Sequence, residues 1–463
     1  MAGGSQLDLV IKNGTIVTAS DIFEAEIGVE DGKVASISKS LSGQAKEVID
    51  AKGKLIFPGI IDAHTHLEML WMGTVNPDDF EWGSIAGACG GVTTLIDFAI
   101  QKKGKTILEE VEARRQNADP KVCIDYSLHA GVTDLTEATL AEIPKVIQYG
   151  CPSFKMFMTY RKEGVMIDDE MLFSALLAMK KHGGLLGVHA ENDSIISYFT
   201  ETLLKEGKKT VAHFSLSRPS FAEEEAVKRA IILAENAGAS LYFFHLSTKE
   251  GLAAITQARD RGLDILAETC PQYLLLTDDV YLREDGRNFV CAPPIRTKED
   301  SEALWQGLAR GDVALVATDH SVSTTRQKKL GDTFDKVRVG VPGIETLLPM
   351  LYSEGVRKGR ISLNRLIEIL CSNPAKVFGL YPKKGTIAIG SDADITIFDP
   401  EKKVTITTKR LHSRNDYNIY EGWKVKGYPE TTILRGDIIY RNERFCGKKG
   451  QGRFIAREPY KKL

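Results

Sequence analysis

His64-Thr65-His66 sets two imidazoles two residues apart. In an extended strand, residues i and i+2 face the same side, so both rings can reach one metal ion. Further along, apolar runs close on His189, His245 and Asp319, and Lys155 interrupts Ser153-Phe154-Lys155-Met156-Phe157-Met158. Each has an ordinary reading when taken alone: a hydrogen-bonded core histidine, a lysine paired with a carboxylate, an aspartate capping a turn. Together they read differently. Of nine histidines, four stand at the ends of three apolar runs, with Lys155 and Asp319 at the ends of others or inside them. Charged groups at such depth are costly unless compensated, and a metal cluster compensates them. An ammonium cannot ligate a cation, but a lysine amine that has added CO2 is a carbamate, whose two oxygens can bridge two metals. Four imidazoles, one carbamate and one carboxylate therefore make a site for two divalent metal ions. Nitrogen and oxygen donors without thiolate suit Zn2+, with Mn2+, Fe2+ or Co2+ as other fits. Two metals ~3.5–4 Å apart acidify the water between them and polarise a substrate carbonyl. His129, His182, His213, His320 and His412 are expected to be structural.

Eight apolar runs must position this set: 60–67, 92–99, 123–130, 153–158, 185–192, 241–247, 263–270 and 314–320. Amphipathic segments separate them, among them 107–117, 169–182 and 222–238. Strands buried on both faces and alternating with helices imply parallel β-α units, and eight such units imply a closed α/β (β/α)8 TIM-like barrel with its chemistry at the C-terminal ends of the strands. Both chain ends have a different character. Residues 9–17 alternate around the turn dipeptide Asn13-Gly14, residues 27–37 around Asp31-Gly32, and β patterning returns at 395–398, 404–407 and 432–434. The expected organisation is a small β-sandwich domain from residues 1–57 plus 386–463, with the catalytic barrel, 58–385, between them. The segment 441–463 carries eight basic and two acidic residues and is expected to be a solvated or subunit-wrapping tail.

The chain has 463 residues, 43% apolar and 26% charged, enough for a large core. Its 60 Lys and Arg nearly balance 62 Asp and Glu, for a formal charge of −2, so neither nucleic acid nor an anionic membrane is an expected partner. No apolar run approaches the ~18–20 residues of a membrane span, and Met1 to Gln6 lack a basic-then-apolar secretory pattern. Seven scattered cysteines without a C-x-x-C pair fit reduced thiols. A cytoplasmic location is expected.

These residues resemble the amidohydrolase superfamily, and most nearly its hydantoinase/dihydropyrimidinase branch of cyclic amidohydrolases. The resemblance runs through Gly59-Ile60-Ile61-Asp62-Ala63-His64-Thr65-His66, Gly90-Gly91-Val92-Thr93-Thr94, Phe154-Lys155-Met156-Phe157-Met158-Thr159-Tyr160, His189-Ala190-Glu191-Asn192, His245-Leu246-Ser247, Glu268-Thr269-Cys270-Pro271 and Ala317-Thr318-Asp319-His320, and reaches Asp416-Tyr417-Asn418. It implies a metal-dependent enzyme that opens a cyclic amide or ureide, such as a hydantoin, a 5-substituted hydantoin or a dihydropyrimidine, to an N-carbamoyl amino acid by a metal-bridging hydroxide. It implies His64, His66, Lys155, His189, His245 and Asp319 as metal ligands, Lys155 carboxylated, Asp319 as proton shuttle and Tyr160 as donor to the oxyanion. It also implies substrate contacts at Ala292 and Val339, where the family commonly has Ser and Asn and uses mainly main-chain groups. The loop holding Leu67 and Trp71, joined by Phe157, would line a pocket for the substituent outside the ring. A homodimer or homotetramer is implied. Dihydropyrimidinase, allantoinase, dihydroorotase and a non-catalytic interaction homologue are the alternatives; the last lacks the ligands kept here.

Overall fold

The computed structural model describes residues 6–41 and 45–462. Eight parallel strands follow one another in chain order: β1 (Ile60–Thr65), β2 (Val92–Ile100), β3 (Asp125–Gly131), β4 (Ser153–Phe157), β5 (Leu185–His189), β6 (Leu241–Phe243), β7 (Ile265–Thr269) and β8 (Leu315–Val316). Just beyond β8, a parallel bridge between Thr65 and His320 joins the eighth unit back to the first. There the His66 N–H donates to His320 O at 2.8 Å. The Asp62 carboxylate strengthens the closure by accepting from both the backbone N–H and the hydroxyl of Thr318, at 3.0 and 2.5 Å. The expected runs all become these strands, and the residues of β1 and β3 to β8 are buried throughout, as two-sided packing in a barrel demands.

The intervening helices are capped as their sequences suggest. Helix Ile107–Ala118 opens with a Thr106/Glu109 capping box, and helix Asp169–His182 starts on Asp168 and stops at Gly183 in the left-handed region. The three amphipathic segments read from the sequence all fall on helices, the third as Ser220–Ala237.

Two β sheets come from the chain ends. One orders the strands Lys33–Ser38, Glu26–Glu30, Leu7–Lys12 and Ala45–Asp50. The other mixes N-terminal strands (Thr15–Val17, Ile22–Glu24, Leu55–Pro58) with C-terminal ones (Ile395–Thr405, Lys424–Leu434, Asp437–Arg441, Arg444–Phe445). Leu9, Ile11, Ile27 and Val29 of the first sheet pack with Ile16, Ile56, Ile395 and Ile433 of the second in one core. Asp31-Gly32, both at positive φ, makes the expected hairpin between Glu26–Glu30 and Lys33–Ser38. Asn13-Gly14 does not make one: the strands on either side of it enter different sheets, so the dipeptide serves a crossing.

The basic C-terminal segment exposes Arg444, Lys448, Lys449, Arg453, Lys461 and Lys462 as a solvated tail would, but it does not leave the fold. It lies along the chain's own barrel. The Tyr126 N–H donates to Arg453 O at 2.9 Å, and Ile455 N–H to Tyr126 O at 2.7 Å. The Arg457 guanidinium is buried and donates to the hydroxyls of Ser127 and Ser153, each at 2.8 Å. All seven cysteines are free. Among the described residues, no helix is long and apolar enough to cross a membrane.

Candidate active site

The strands deliver the expected side chains to one end of the barrel. The Nε2 atoms of His64 and His66 lie 3.2 Å apart. Asp319 Oδ1 stands 3.1 Å from the first and 3.3 Å from the second. Lys155 Nζ lies 3.0 Å from His64 Nε2, and His189 Nδ1 lies 3.0 Å from His245 Nε2. One ligand atom each from His64, His245 and Asp319 falls within a 4.8 Å cluster. Three predicted site residues, Tyr160, His245 and Asp319, hold positive φ. Such backbone costs energy in a non-glycine residue and persists where the surrounding structure enforces it, commonly at functional sites.

A layer of carboxylates behind the histidines orients them. His64 Nδ1 donates to Glu268, which also accepts from the Tyr242 hydroxyl at 2.7 Å and the His245 N–H at 3.2 Å. His189 Nε2 donates to Glu191 at 2.7 Å, and Glu191 is paired with Arg218, whose Nε lies at 3.0 Å. With the outer nitrogen of His64 and of His189 committed as donor, the inner nitrogen of each carries the lone pair a cation needs. Burial lowers the pKa of His66 to about 4 and pushes His189 and His245 below the ordinary imidazole value, so these rings stay neutral. For His64, burial and Lys155 act downward but Glu268 and Asp319 outweigh them. Burial opposes ionisation of Asp319, yet His64 and His66 hold its pKa well below the usual carboxylate range. The convergent lone-pair donors, the buried carboxylate and the lysine amine fit a divalent-cation centre.

The sequence reading gave Glu191, Glu268, Arg218 and Tyr242 no role. A signal existed for two of them: Glu191 follows His189 by two residues, and Glu268 is a charge inside a buried strand. Burial opposes ionisation of Glu191, but Arg218 and His189 outweigh it and keep it ionised. Replacing Arg218 with Met would strand that charge. Breaking a buried pair from one side costs about 3–5 kcal/mol. The R218M protein is therefore expected to melt well below the parent in calorimetry; an unchanged melting temperature would refute the pairing as a stabilising support.

A narrow cavity opens over the cluster. Trp71, Phe157, Tyr160, Ala292 and Val339 line it, as expected, beside His66, Lys155, His189, His245 and Asp319. Trp71 meets Tyr160 edge-on at 5.3 Å, and Phe157 meets it at 6.2 Å. Leu67 corrects the expectation. It is fully buried, packs toward Gly83 of helix Phe80–Cys89 and is absent from the wall, because the chain turns inward before the loop begins. Met69, Ile100, Ser321 and Gly340 line the cavity instead. Among the histidines left aside, His129 sits inside the barrel between Ser153 Oγ (2.6 Å) and Ala63 O (2.9 Å), and His320 pairs with Asp78 at 3.0 Å.

A (β/α)8 barrel that gathers imidazoles, a lysine and an aspartate at one mouth, with a two-sheet β domain from both chain ends, defines a class of barrel hydrolase. Residues 55–439 match the amidohydrolase family. The chain is 44% identical to the D-hydantoinase of Geobacillus stearothermophilus over 457 residues, 97% of each chain. It is 42% identical to the D-hydantoinase of Ralstonia pickettii, covering 98% of this chain and all of that one. The solved dihydropyrimidinase of Brevibacillus agri NCHU1002 superposes with a TM-score of 0.97 at 40% identity, over 98% of this chain and 99% of that one. The protein belongs to the amidohydrolase family, in its hydantoinase branch, and is a cyclic amidohydrolase.

Proposed function

We propose that this enzyme opens 5-substituted hydantoins to N-carbamoyl amino acids, with Asp319 moving the proton and Tyr160 facing the oxyanion. One observation carries the reading: the converging donors lie on the floor of a cavity whose wall, Met69, Trp71, Phe157 and Tyr160, is apolar and aromatic. Bound between His64, His66 and Asp319 on one side and His189 and His245 on the other, with Lys155 carboxylated by CO2 between them, two divalent cations, Zn2+ by the donor chemistry, would supply carbonyl polarisation and an acidified water. Asp319 takes the proton of the attacking water and returns it to the ring nitrogen as the C–N bond breaks, so one carboxylate serves as base and then as acid. Tyr160 projects into the cavity with its hydroxyl protonated, since burial raises its pKa, and can donate to the developing oxyanion.

Ala292 and Val339 replace the family's Ser and Asn and bring only apolar side chains to the wall. Among the described residues, no protein hydrogen bond engages their main-chain N–H or C=O groups, which are left to read the ring's amide edges. The aromatic wall favours a bulky substituent over the bare ring of a dihydropyrimidine. Exposed Tyr198, Leu216, Phe221 and Ile232, on helices Asp193–Lys205, Phe214–Ser217 and Ser220–Ala237, support a homo-oligomer, dimer or tetramer. The two-domain division at about residues 57 and 386 and a cytoplasmic location belong to the same reading.

The test is ring opening of hydantoin, 5-phenylhydantoin, dihydrouracil and allantoin by purified protein, before and after metal stripping. Activity is expected to vanish on stripping and to return only with Zn2+ and bicarbonate together, highest on 5-phenylhydantoin. Turnover by the stripped protein would overturn the metal reading, and no turnover of any of the four after reconstitution would overturn the substrate class.

A further inference from the structure

Arg338 is buried, at 3% exposure, and no carboxylate among the described residues lies within hydrogen-bonding reach of it. A buried guanidinium without an anion is expensive unless its donors are otherwise satisfied. Here they are. Its Nε donates to Trp71 O at 3.2 Å. One terminal nitrogen donates to Val322 O at 3.0 Å and Ser323 Oγ at 2.7 Å. The other donates to Met69 O at 3.4 Å and to the side-chain oxygen of Asn76. Asn76 in turn donates to the carbonyl of His66.

The segments so joined share one property. Met69 and Trp71 line the cavity from the loop after β1; Ser321, next to Val322, lines it from the loop after β8; Val339 and Gly340 follow Arg338 directly and line it too. The backbone of Arg338 is itself anchored. Lys328 is fully buried, and its ammonium donates to the carbonyls of Val290 and Arg338 at 2.8 Å and of Gly340 at 2.7 Å. Val290 lies two residues before Ala292, another lining residue. The loop held from the other side needs such a tie. Glu68 and Met72 are at positive φ, and Leu70 is 67% exposed, so little apolar packing fixes it.

We infer that Arg338 is a positioning residue that sets substrate specificity: its planar fork staples the loop carrying Met69 and Trp71 to the loops carrying Ser321 and Val339, and so fixes the shape of the pocket for the substituent outside the ring. The inference rests on the reading of that cavity as the substrate pocket. Lysine cannot reproduce it here, because the acceptors are spread over the three separate nitrogens of the fork and one ammonium position cannot reach them all.

The test uses R338K holoenzyme. Hydrogen exchange by mass spectrometry, on resting enzyme without substrate, is expected to show faster exchange in residues 68–76 than in the parent, with exchange in β4 to β7 unchanged. Steady-state kinetics is expected to show kcat/KM for 5-phenylhydantoin relative to hydantoin falling about tenfold, the equivalent of one lost charge-assisted contact, mainly through KM, with kcat on hydantoin and metal content retained. Equal losses on both substrates, or unchanged exchange in 68–76, would overturn the inference. Faster loop exchange with no change in the substrate ratio would keep the staple but overturn its part in specificity, and absence of turnover in the parent enzyme would instead count against the substrate reading. Should R338K not fold, Ser323→Ala removes a single contact of the staple, and a smaller shift in the same two readouts is expected; none in either would be equally decisive against it.

Discussion

Replacing Lys155 with alanine is expected to lower kcat/KM by roughly 10³-fold or more, the scale of several kcal/mol of lost charge stabilisation. Lys155 is 2% exposed and has no carboxylate partner among the described residues. Its Nζ sits 3.0 Å from His64 Nε2 and 4.4 and 4.7 Å from the ring centres of Phe98 and Phe244. Cation–π contact with these rings offsets only part of the cost of burying an ammonium there without a carboxylate. Burial lowers its pKa to about 8 against the opposing pull of Asp319 and Glu268. The neutral amine, the form that adds CO2, is therefore far more populated than in an exposed lysine. The K155A protein is expected to fold, to bind less metal by elemental analysis, and to gain nothing from bicarbonate. Millimolar acetate or propionate, which can place a carboxylate in the vacated space, is expected to restore part of the activity. Near-parental turnover or unchanged metal content in K155A would remove lysine from the proposed centre.

The barrel was legible because its strands are buried on both faces, which writes them as unbroken apolar runs, and because those runs end on the residues that could do chemistry. His64 and His66 were legible by the two-residue period of a strand, and the structure does bring them within 3.2 Å of each other. The small domain was legible as β but not in its pairings. Asn13-Gly14 has the composition of a hairpin turn, yet which sheet the next strand joins depends on partners such as Leu55–Pro58, some 40 residues on. Leu67 was misplaced because strand patterning cannot say where the chain leaves the barrel. Arg457 was misread for a related reason. Its charge suggests solvent, while three of its four serine and carbonyl partners lie about 300 residues away in sequence and the fourth, Phe378 O, 79 residues away. Arg338 was invisible on the same grounds: Trp71, which it holds, is 267 residues distant. Local pattern reports which face is buried; it does not report which distant backbone a buried cation will satisfy.

Asp319→Asn is expected to separate the two roles proposed for this residue, holding metal and moving the proton. The Oδ1 of Asp319 lies 3.1 and 3.3 Å from the two histidines of β1 and its end, on a backbone at φ +52, and its side chain keeps 12% exposure toward the cavity. Asparagine matches the shape and keeps an oxygen in that place, so metal content is expected to stay near that of the parent. What it lacks is proton affinity. An amide cannot accept the proton of the attacking water, nor return it to the ring nitrogen, and general acid–base catalysis of this kind is worth about 10²–10⁴-fold. The kcat of D319N on 5-phenylhydantoin is expected to fall by that range while KM moves little, and the acidic limb of the kcat–pH profile is expected to disappear with the carboxylate. Because the neighbouring imidazoles hold Asp319 ionised against the effect of burial, that limb should lie on the acid side of neutrality in the parent enzyme. A D319N enzyme within tenfold of the parent, with metal retained, would assign the proton to another group, and His66, Lys155, His189, His245 and Tyr160 are the cavity's other titratable side chains. A D319N enzyme that loses metal and activity together would make Asp319 a ligand first, leaving its role as base to be read from the pH profile of the parent alone.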